Sequence, residues 1–154
     1  MKLLIESWRK FINEKKELTP KIVTVDFDDT LKMKDSNIAN CFIINKIKEL
    51  ASNGAKIYVV SRRKSEEVFE KGYENAEDEI NSFINDNNLP IEGIYLTNWS
   101  NKDKIVDELG SSMHIDDSEK EWRNIEKNLP EVELIKVDHE TGKIKPDLEE
   151  NEKK

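Results

Sequence analysis

The stretch Ile22-Val23-Thr24-Val25-Asp26-Phe27-Asp28-Asp29-Thr30-Leu31 constrains the fold more than any other. Four β-favouring residues run directly into a segment holding three carboxylates. Ile and Val at successive positions suit a strand buried on both faces, as in a parallel sheet. Carboxylates cannot follow such a strand into the interior without a counter-charge. The simplest arrangement ends the strand at a cleft that holds a divalent cation. Open α/β sheets bind ligands at that end of their strands.

Asp26 and Asp28 lie two apart, so on a continued strand they share a face, with Asp29 turned away. Two such carboxylates repel unless a cation lies between them or one stays protonated. Oxygen-only ligands favour Mg²⁺. The plain alternative is an acidic turn capping the next helix. Asp116-Asp117 argues against it, because the same arrangement recurs after another apolar run.

Along the chain, Leu4, Trp8, Phe11 and Ile12 recur at helical spacing and predict a helix over 2–16, which Thr19-Pro20 breaks. Strands are expected at 22–27, 56–60, 93–97, 113–115 and 132–137. Asp35 or Ser36 is expected to cap a helix whose face carries Ile38, Cys41, Phe42, Ile47, Leu50 and Ala51, and Gly54 to end it. Phe69, Tyr73, Ala76, Ile80, Phe83 and Ile84 read as one long helix, interrupted at most by Gly72 and stopped at Asn87-Asn88-Leu89-Pro90. A short helix is expected over 102–109. Ser118 with Glu121 forms the pattern of a capping box before Trp122, Ile125 and Leu129, and Pro130 closes that helix. The alternation implies βαβ units, a parallel sheet and right-handed crossovers. Residues with chemical potential fall at the C-terminal ends of strands one, two and four.

The chain has 154 residues, enough for one core, expected as one domain over 1–146 with a polar, disordered tail at 147–154. A net charge of −8 argues against a general binder of polyanions. Cys41 is the one cysteine, so no intrachain disulfide can form and a reducing compartment is expected. The apolar run at residues 1–5 is too short for a signal or a membrane span, so a cytoplasmic protein without membrane contact is expected.

Four segments in order resemble the motifs of the haloacid dehalogenase-like superfamily. Val23 to Leu31 resembles motif I, an apolar strand followed by D-x-D-x-T. Tyr58-Val59-Val60-Ser61 resembles motif II. Lys102 or Lys104 fits motif III, a lysine opening a helix, and Lys104 is preferred because it precedes Ile105-Val106. Met113-His114-Ile115-Asp116-Asp117 resembles motif IV. The resemblance covers residues 22–117. It implies a three-layer α/β/α sandwich with a parallel five-stranded sheet in the order 5-4-1-2-3.

It also implies roles. Asp26 would be the nucleophile forming an aspartyl-phosphate, and Asp28 the general acid and then base. Mg²⁺ would be held by Asp26, the backbone carbonyl of Asp28 and Asp116, with Asp117 in or beside its shell. Ser61 would bind phosphoryl oxygens together with Thr30, Lys102 and Arg63, and the motif III lysine would offset transition-state charge. The Ser61-x-Arg63 pattern is similar to motif II of nucleotide and polynucleotide phosphatases, where the arginine reaches substrate; a surface arginine is the plain alternative. Lys32, Lys34, Arg62, Arg63, Lys64, Lys102 and Lys104 flank the motifs and could steer an anionic substrate. His114 and Cys41 read as packed residues, and Trp99 as a rim residue.

Neither the span from Thr30 to Ile57 nor that from Ser61 to Lys104 has room for a cap domain, so an open site is expected. The expected activity is Mg²⁺-dependent phosphomonoester hydrolysis, leaning to a nucleotide or a nucleic-acid end. A phosphoprotein phosphatase and a non-catalytic binding module of the same fold are the alternatives.

Overall fold

A computed structural model describes residues 20–146. The helix expected over 2–16 and the tail at 147–154 lie outside them. The described chain runs β1 (Ile22–Val25), α1 (Cys41–Ser52), β2 (Lys56–Ser61), α2 (Ala76–Asp86), β3 (Ile91–Leu96), α3 (Asp103–Glu108), β4 (Met113–Asp116), α4 (Glu119–Asn128) and β5 (Glu133–Lys136). All four strand pairings are parallel, in the order β3-β2-β1-β4-β5. This is a Rossmann-like α/β fold, and the strand order is the one expected.

The two faces carry different cores. Val23, Val25, Ile57, Val59 and Ile115 pack with Ile43 and Ile47 of α1 and with Ile80 and Phe83 of α2. Val106 of α3 and Ile125 of α4 form a second cluster with Val132 and Leu134. Right-handed crossovers account for this division: the chain adds β2 and β3 on one side of β1, then returns past it to add β4 and β5. The reversal lies between β1 and β4. Neighbouring strands whose outgoing connections diverge leave a crevice at their C-terminal ends.

Alternation along β1 and β4 puts Thr24 and His114, which pair in register, on the face opposite Val23 and Val25. Both are fully buried, and the Thr24 hydroxyl lies 2.8 Å from His114 Nδ1 and 3.0 Å from Ser111 Oγ.

Two helix starts differ from expectation, and one expected capping box is left half-closed. Asn40, rather than Asp35 or Ser36, caps α1, its side chain accepting from Phe42 N. The backbone of Ile38 is engaged before the helix begins, where its carbonyl accepts from Met33 N at 2.8 Å. The buried stripe of α1 is therefore Ile43, Ile44, Ile47 and Leu50, while Ile38, Cys41 and Phe42 are exposed. Helix α2 begins at Ala76, capped by Asn75 and with Glu77, Asp78 and Glu79 in its first turn, where acidic residues complement the helix dipole. Residues 64–75 stay non-helical, with Gly72 at φ +106° and the N–H groups of Phe69 and Glu70 bound to the Glu79 carboxylate. Ser118 caps α4, but Glu121 does not close the box; its carboxylate accepts from Lys102 N.

Among the described residues no helix is long and apolar enough to cross a membrane. Between β1 and β2 lie only α1 and its connecting loops, and between β2 and α3 only α2, β3 and their loops, so no further folded unit interrupts the sheet.

Asn40 joins three segments: besides its cap, its amide donates to Thr30 O and Gly142 O, both at 2.9 Å. Asn40→Ala should lower unfolding free energy by about 2–4 kcal/mol, from a lost cap and two orphaned carbonyls. Asn40→Asp, which keeps the cap alone, should recover part of it. Urea denaturation of the three proteins reads both effects.

Candidate metal centre

The crevice between β1 and β4 is where the chain collects its carboxylates. Asp26 follows the last residue of β1, its N–H donating to Ile115 O at 2.9 Å, so the strand pairing carries it to the sheet edge. Asp116 ends β4, and Asp117 follows it. The segment after Asp26 then turns sharply. Phe27 O accepts from the N–H groups of Thr30, Leu31 and Lys32, and Asp29 takes φ +63°, a left-handed conformation that Asp tolerates. The turn brings Thr30 back over Asp26.

The centre of the site is a buried ion cluster. Lys102 Nζ donates to Asp26 Oδ1 at 2.7 Å and to Asp116 Oδ2 at 2.8 Å. The lysine is 1% exposed and Asp116 is fully buried. His114 Nε2 lies 2.8 Å from the same Asp116 oxygen, Ser118 N donates to the other, and Trp122 Nε1 donates to the Asp116 carbonyl. The Thr30 hydroxyl lies 3.1 Å from Asp26 Oδ2 and 3.1 Å from Asp117 Oδ1.

The electrostatics of these groups are uneven. Burial opposes charge on Lys102, but Asp116 and Asp26 outweigh it and hold the ammonium above its ordinary range. Burial likewise opposes charge on Asp116, yet the Lys102 ammonium and the His114 hydrogen bond keep its carboxyl well below the usual range. For Asp26 the balance reverses: burial, then the Asp116 charge, push it well above a normal carboxylate despite Lys102. Burial also pushes Asp117 up to about 6, with the Asp116 charge adding to it. One ammonium, in contact with Asp26 and Asp116, thus faces three neighbouring acids.

That imbalance is what a cation would correct. Oxygen atoms of Asp26, Asp116 and Asp117 lie within 4.8 Å of one another. An all-carboxylate set with surplus negative charge fits a hard divalent cation and offers nothing to a soft one. These three residues could hold a metal ion. Asp28, expected to contribute through its backbone carbonyl, has its side chain turned away toward Arg63.

The expected lysine of motif III needs correction. Lys104, preferred from the sequence, is exposed on α3. Lys102, the alternative, is the buried one. It sits at the N-cap of α3, where Glu121 Oε2 accepts its N–H at 3.1 Å. Preceding an apolar pair did not mark the inward lysine; the N-cap position aims it along the crevice.

Arg63 is not the surface arginine of the plain alternative. It is 3% exposed. Its Nε and Nη2 grip the two oxygens of Asp28, each at 2.7 Å, and its Nη1 donates to Glu79 Oε2 at 2.7 Å. Ser61 ends β2, buried beside this cluster, and accepts from Arg63 N at 3.2 Å. Among the described residues its own hydroxyl donates to no protein group.

The flanking cations are largely spoken for. Lys32 Nζ donates to Ser36 O, Lys34 pairs with Glu140, and Arg62 lies 3.3 Å from Glu121 while donating to Trp99 O. Glu79 draws no notice in the sequence, Glu121 reads only as part of a capping box and His114 only as a packed residue, yet all three are buried partners of the charged groups around the site. The signal for the two glutamates was present. Each falls on an apolar helical stripe, Glu79 with Ile80 and Phe83, Glu121 with Trp122 and Ile125. A carboxylate on such a stripe needs a partner.

No family model matches the sequence, and no curated protein matches it.

Two outcomes test the cluster. Lys102→Met should cost about 3–5 kcal/mol by leaving a buried carboxylate uncompensated. Lys104→Met, being exposed, should stay within about 0.5 kcal/mol of the parent. Thermal unfolding distinguishes them. Separately, Mg²⁺ at a hundred times its Kd should add about 2.7 kcal/mol of stability. Asp116→Asn should abolish that shift, and an unchanged midpoint in the parent protein would remove the cation from the site.

Proposed function

We propose that the chain is a divalent-cation-dependent phosphomonoester hydrolase of the haloacid dehalogenase-like type, without a cap domain, in which Asp26 takes the phosphoryl group. The observation that carries this reading is the convergence of Asp26, Asp116, Asp117 and the buried Lys102 at the switch point of a parallel sheet. A nucleophilic carboxylate must approach a dianionic phosphate, so the site needs more positive charge than one ammonium. A divalent cation held by Asp26, Asp116 and Asp117 would supply it and polarise the phosphoryl oxygens.

The chain's own groups divide the work. Asp26 attacks phosphorus through a carboxylate oxygen as the bond to the leaving oxygen breaks, and Asp28 gives that oxygen a proton. Water then attacks the phosphoryl group, passing a proton to Asp28, and the acyl-phosphate bond opens to return the Asp26 carboxylate and inorganic phosphate. Lys102 keeps Asp26 and Asp116 fixed and offsets charge spreading over the phosphoryl oxygens. Ser61, at the end of β2, has a hydroxyl proton to offer those oxygens. Thr30 orients Asp26 Oδ2.

The surroundings bear on substrate class. A cavity of about 560 Å³ opens beside Asp28, lined by Asp29, Asp35, Glu70 and Glu79, with Lys32 and the exposed Phe69. Such a lining repels a polyanion. Together with the internal pairing of Arg62, Arg63 and Lys34, it favours a small phosphomonoester over the end of a nucleic-acid strand.

Asp26→Asn should abolish phosphate release from p-nitrophenyl phosphate with Mg²⁺ while preserving the fold, since the isosteric amide oxygen can still accept from Lys102 Nζ. EDTA should silence the parent enzyme and Mg²⁺ restore it. Undiminished turnover by Asp26→Asn would sink the nucleophile assignment.

A further inference from the structure

We propose that Arg63 acts on Asp28 rather than on substrate: with Glu79 behind it, it is the positioning residue that aims the proton-exchanging carboxylate. This rests on the phosphatase reading above, in which Asp28 gives and takes the proton.

The contacts leave Arg63 little else to do. Nε donates to Asp28 Oδ2 and Nη2 to Asp28 Oδ1, a planar fork on both oxygens. Nη1 donates to Glu79 Oε2 at 2.7 Å and to Glu67 O at 3.3 Å. The guanidinium carbon lies 3.9 Å from the ring centroid of Phe69 and 5.4 Å from that of Phe27. Every nitrogen is engaged and the planar group is packed against aromatic rings. Reaching a phosphate would strip Asp28 and the buried Glu79 of their counter-ion.

Glu79 is itself fixed from two sides. It stands in the first turn of α2, and its Oε1 accepts from Phe69 N at 2.8 Å and from Glu70 N at 2.9 Å. A chain of contacts therefore runs from a helix, through Glu79 and Arg63, to Asp28. Asp28 itself follows β1 in a sharp turn and is partly exposed, so its backbone alone does not define where its carboxylate points. The fork supplies that definition. It occupies one lone pair of each oxygen, leaving the other on each to exchange a proton.

Proton donation matters in proportion to the basicity of the leaving oxygen. An alkoxide needs the proton; p-nitrophenolate leaves without it. kcat/KM covers the steps through departure of the leaving group, so it isolates this contribution. The experiment compares kcat/KM for an alkyl phosphate and for p-nitrophenyl phosphate, with Mg²⁺, in the parent, Arg63→Lys, Glu79→Gln, Asp28→Asn and Arg63→Lys/Asp28→Asn. Lysine keeps the charge but cannot form the fork. In Glu79→Gln the amide oxygen would still accept the two backbone N–H groups, while the charge toward Arg63 is lost.

Arg63→Lys should lower the alkyl value about 100-fold, the lower end of what a positioned acid contributes, and the aryl value far less. Glu79→Gln should move the alkyl-to-aryl ratio in the same direction by a smaller factor, and it carries the test if Arg63→Lys fails to fold. The double variant should be no worse than Asp28→Asn alone, because both changes remove one function. Equal losses on both substrates would reduce Arg63 to a structural role. A rise in KM for both with kcat retained would return it to substrate binding. Additive losses in the double variant would also overturn the proposal. Silence of the parent on both substrates is a different failure: it removes the phosphatase reading, and this inference with it.

Discussion

The Lys102 ammonium, enclosed between Asp26 and Asp116, is the interaction on which the rest of the site depends. Its two contacts join the C-terminal ends of β1 and β4 to the start of α3, the segments that diverge at the crevice. Two buried carboxylates facing each other without it would force strand ends apart or take up protons. With it, Asp116 is held ionised while Asp26 and Asp117 remain above their ordinary range. The site is therefore a polar cluster satisfied on one side only, and its unsatisfied side is where a cation fits.

Around this centre each inward cation is backed by a glutamate. Glu121 fixes Lys102 through its backbone N–H and faces Arg62; Glu79 fixes Arg63 through its guanidinium and the preceding loop through its other oxygen. Both glutamates come from the buried stripe of a helix, one on each face of the sheet. Arg63, Lys102 and Lys34, which looked available for substrate, are consequently paired with carboxylates within the fold. The fold thereby buries two cationic side chains, Lys102 and Arg63, each against carboxylates.

Much of this was legible in the sequence because it follows from periodicity and chemistry along one segment. The parallel sheet, the carboxylates at the ends of β1 and β4, and the absence of room for another folded unit between the motifs needed only local pattern. The strand order followed from the resemblance of those motifs. The failures came where one segment's behaviour was set by another. Residues 64–75 carry helical periodicity, but Phe69 and Glu70 give their N–H groups to a carboxylate about ten residues downstream instead of to a helix. Ile38 fits a helical face yet precedes the helix, because its carbonyl is engaged by Met33. His114 reads as an ordinary strand residue until its ring is placed beside Asp116 and Thr24.

By itself the sequence determined the fold class and which strand ends carry carboxylates, since a run of buried apolar residues and the acids ending it are fixed by covalent order. Only the tertiary structure decided which lysine enters the crevice and what Arg63 grips. Lys102 and Lys104 differ by two positions at the start of one short helix, and only the direction in which that helix leaves the sheet turns Lys102 inward. Arg63 could have faced solvent, substrate or the core. The carboxylates of Asp28 and Glu79, brought to it from the end of β1 and from α2, settle the matter, because desolvated charges must meet one another when water is excluded.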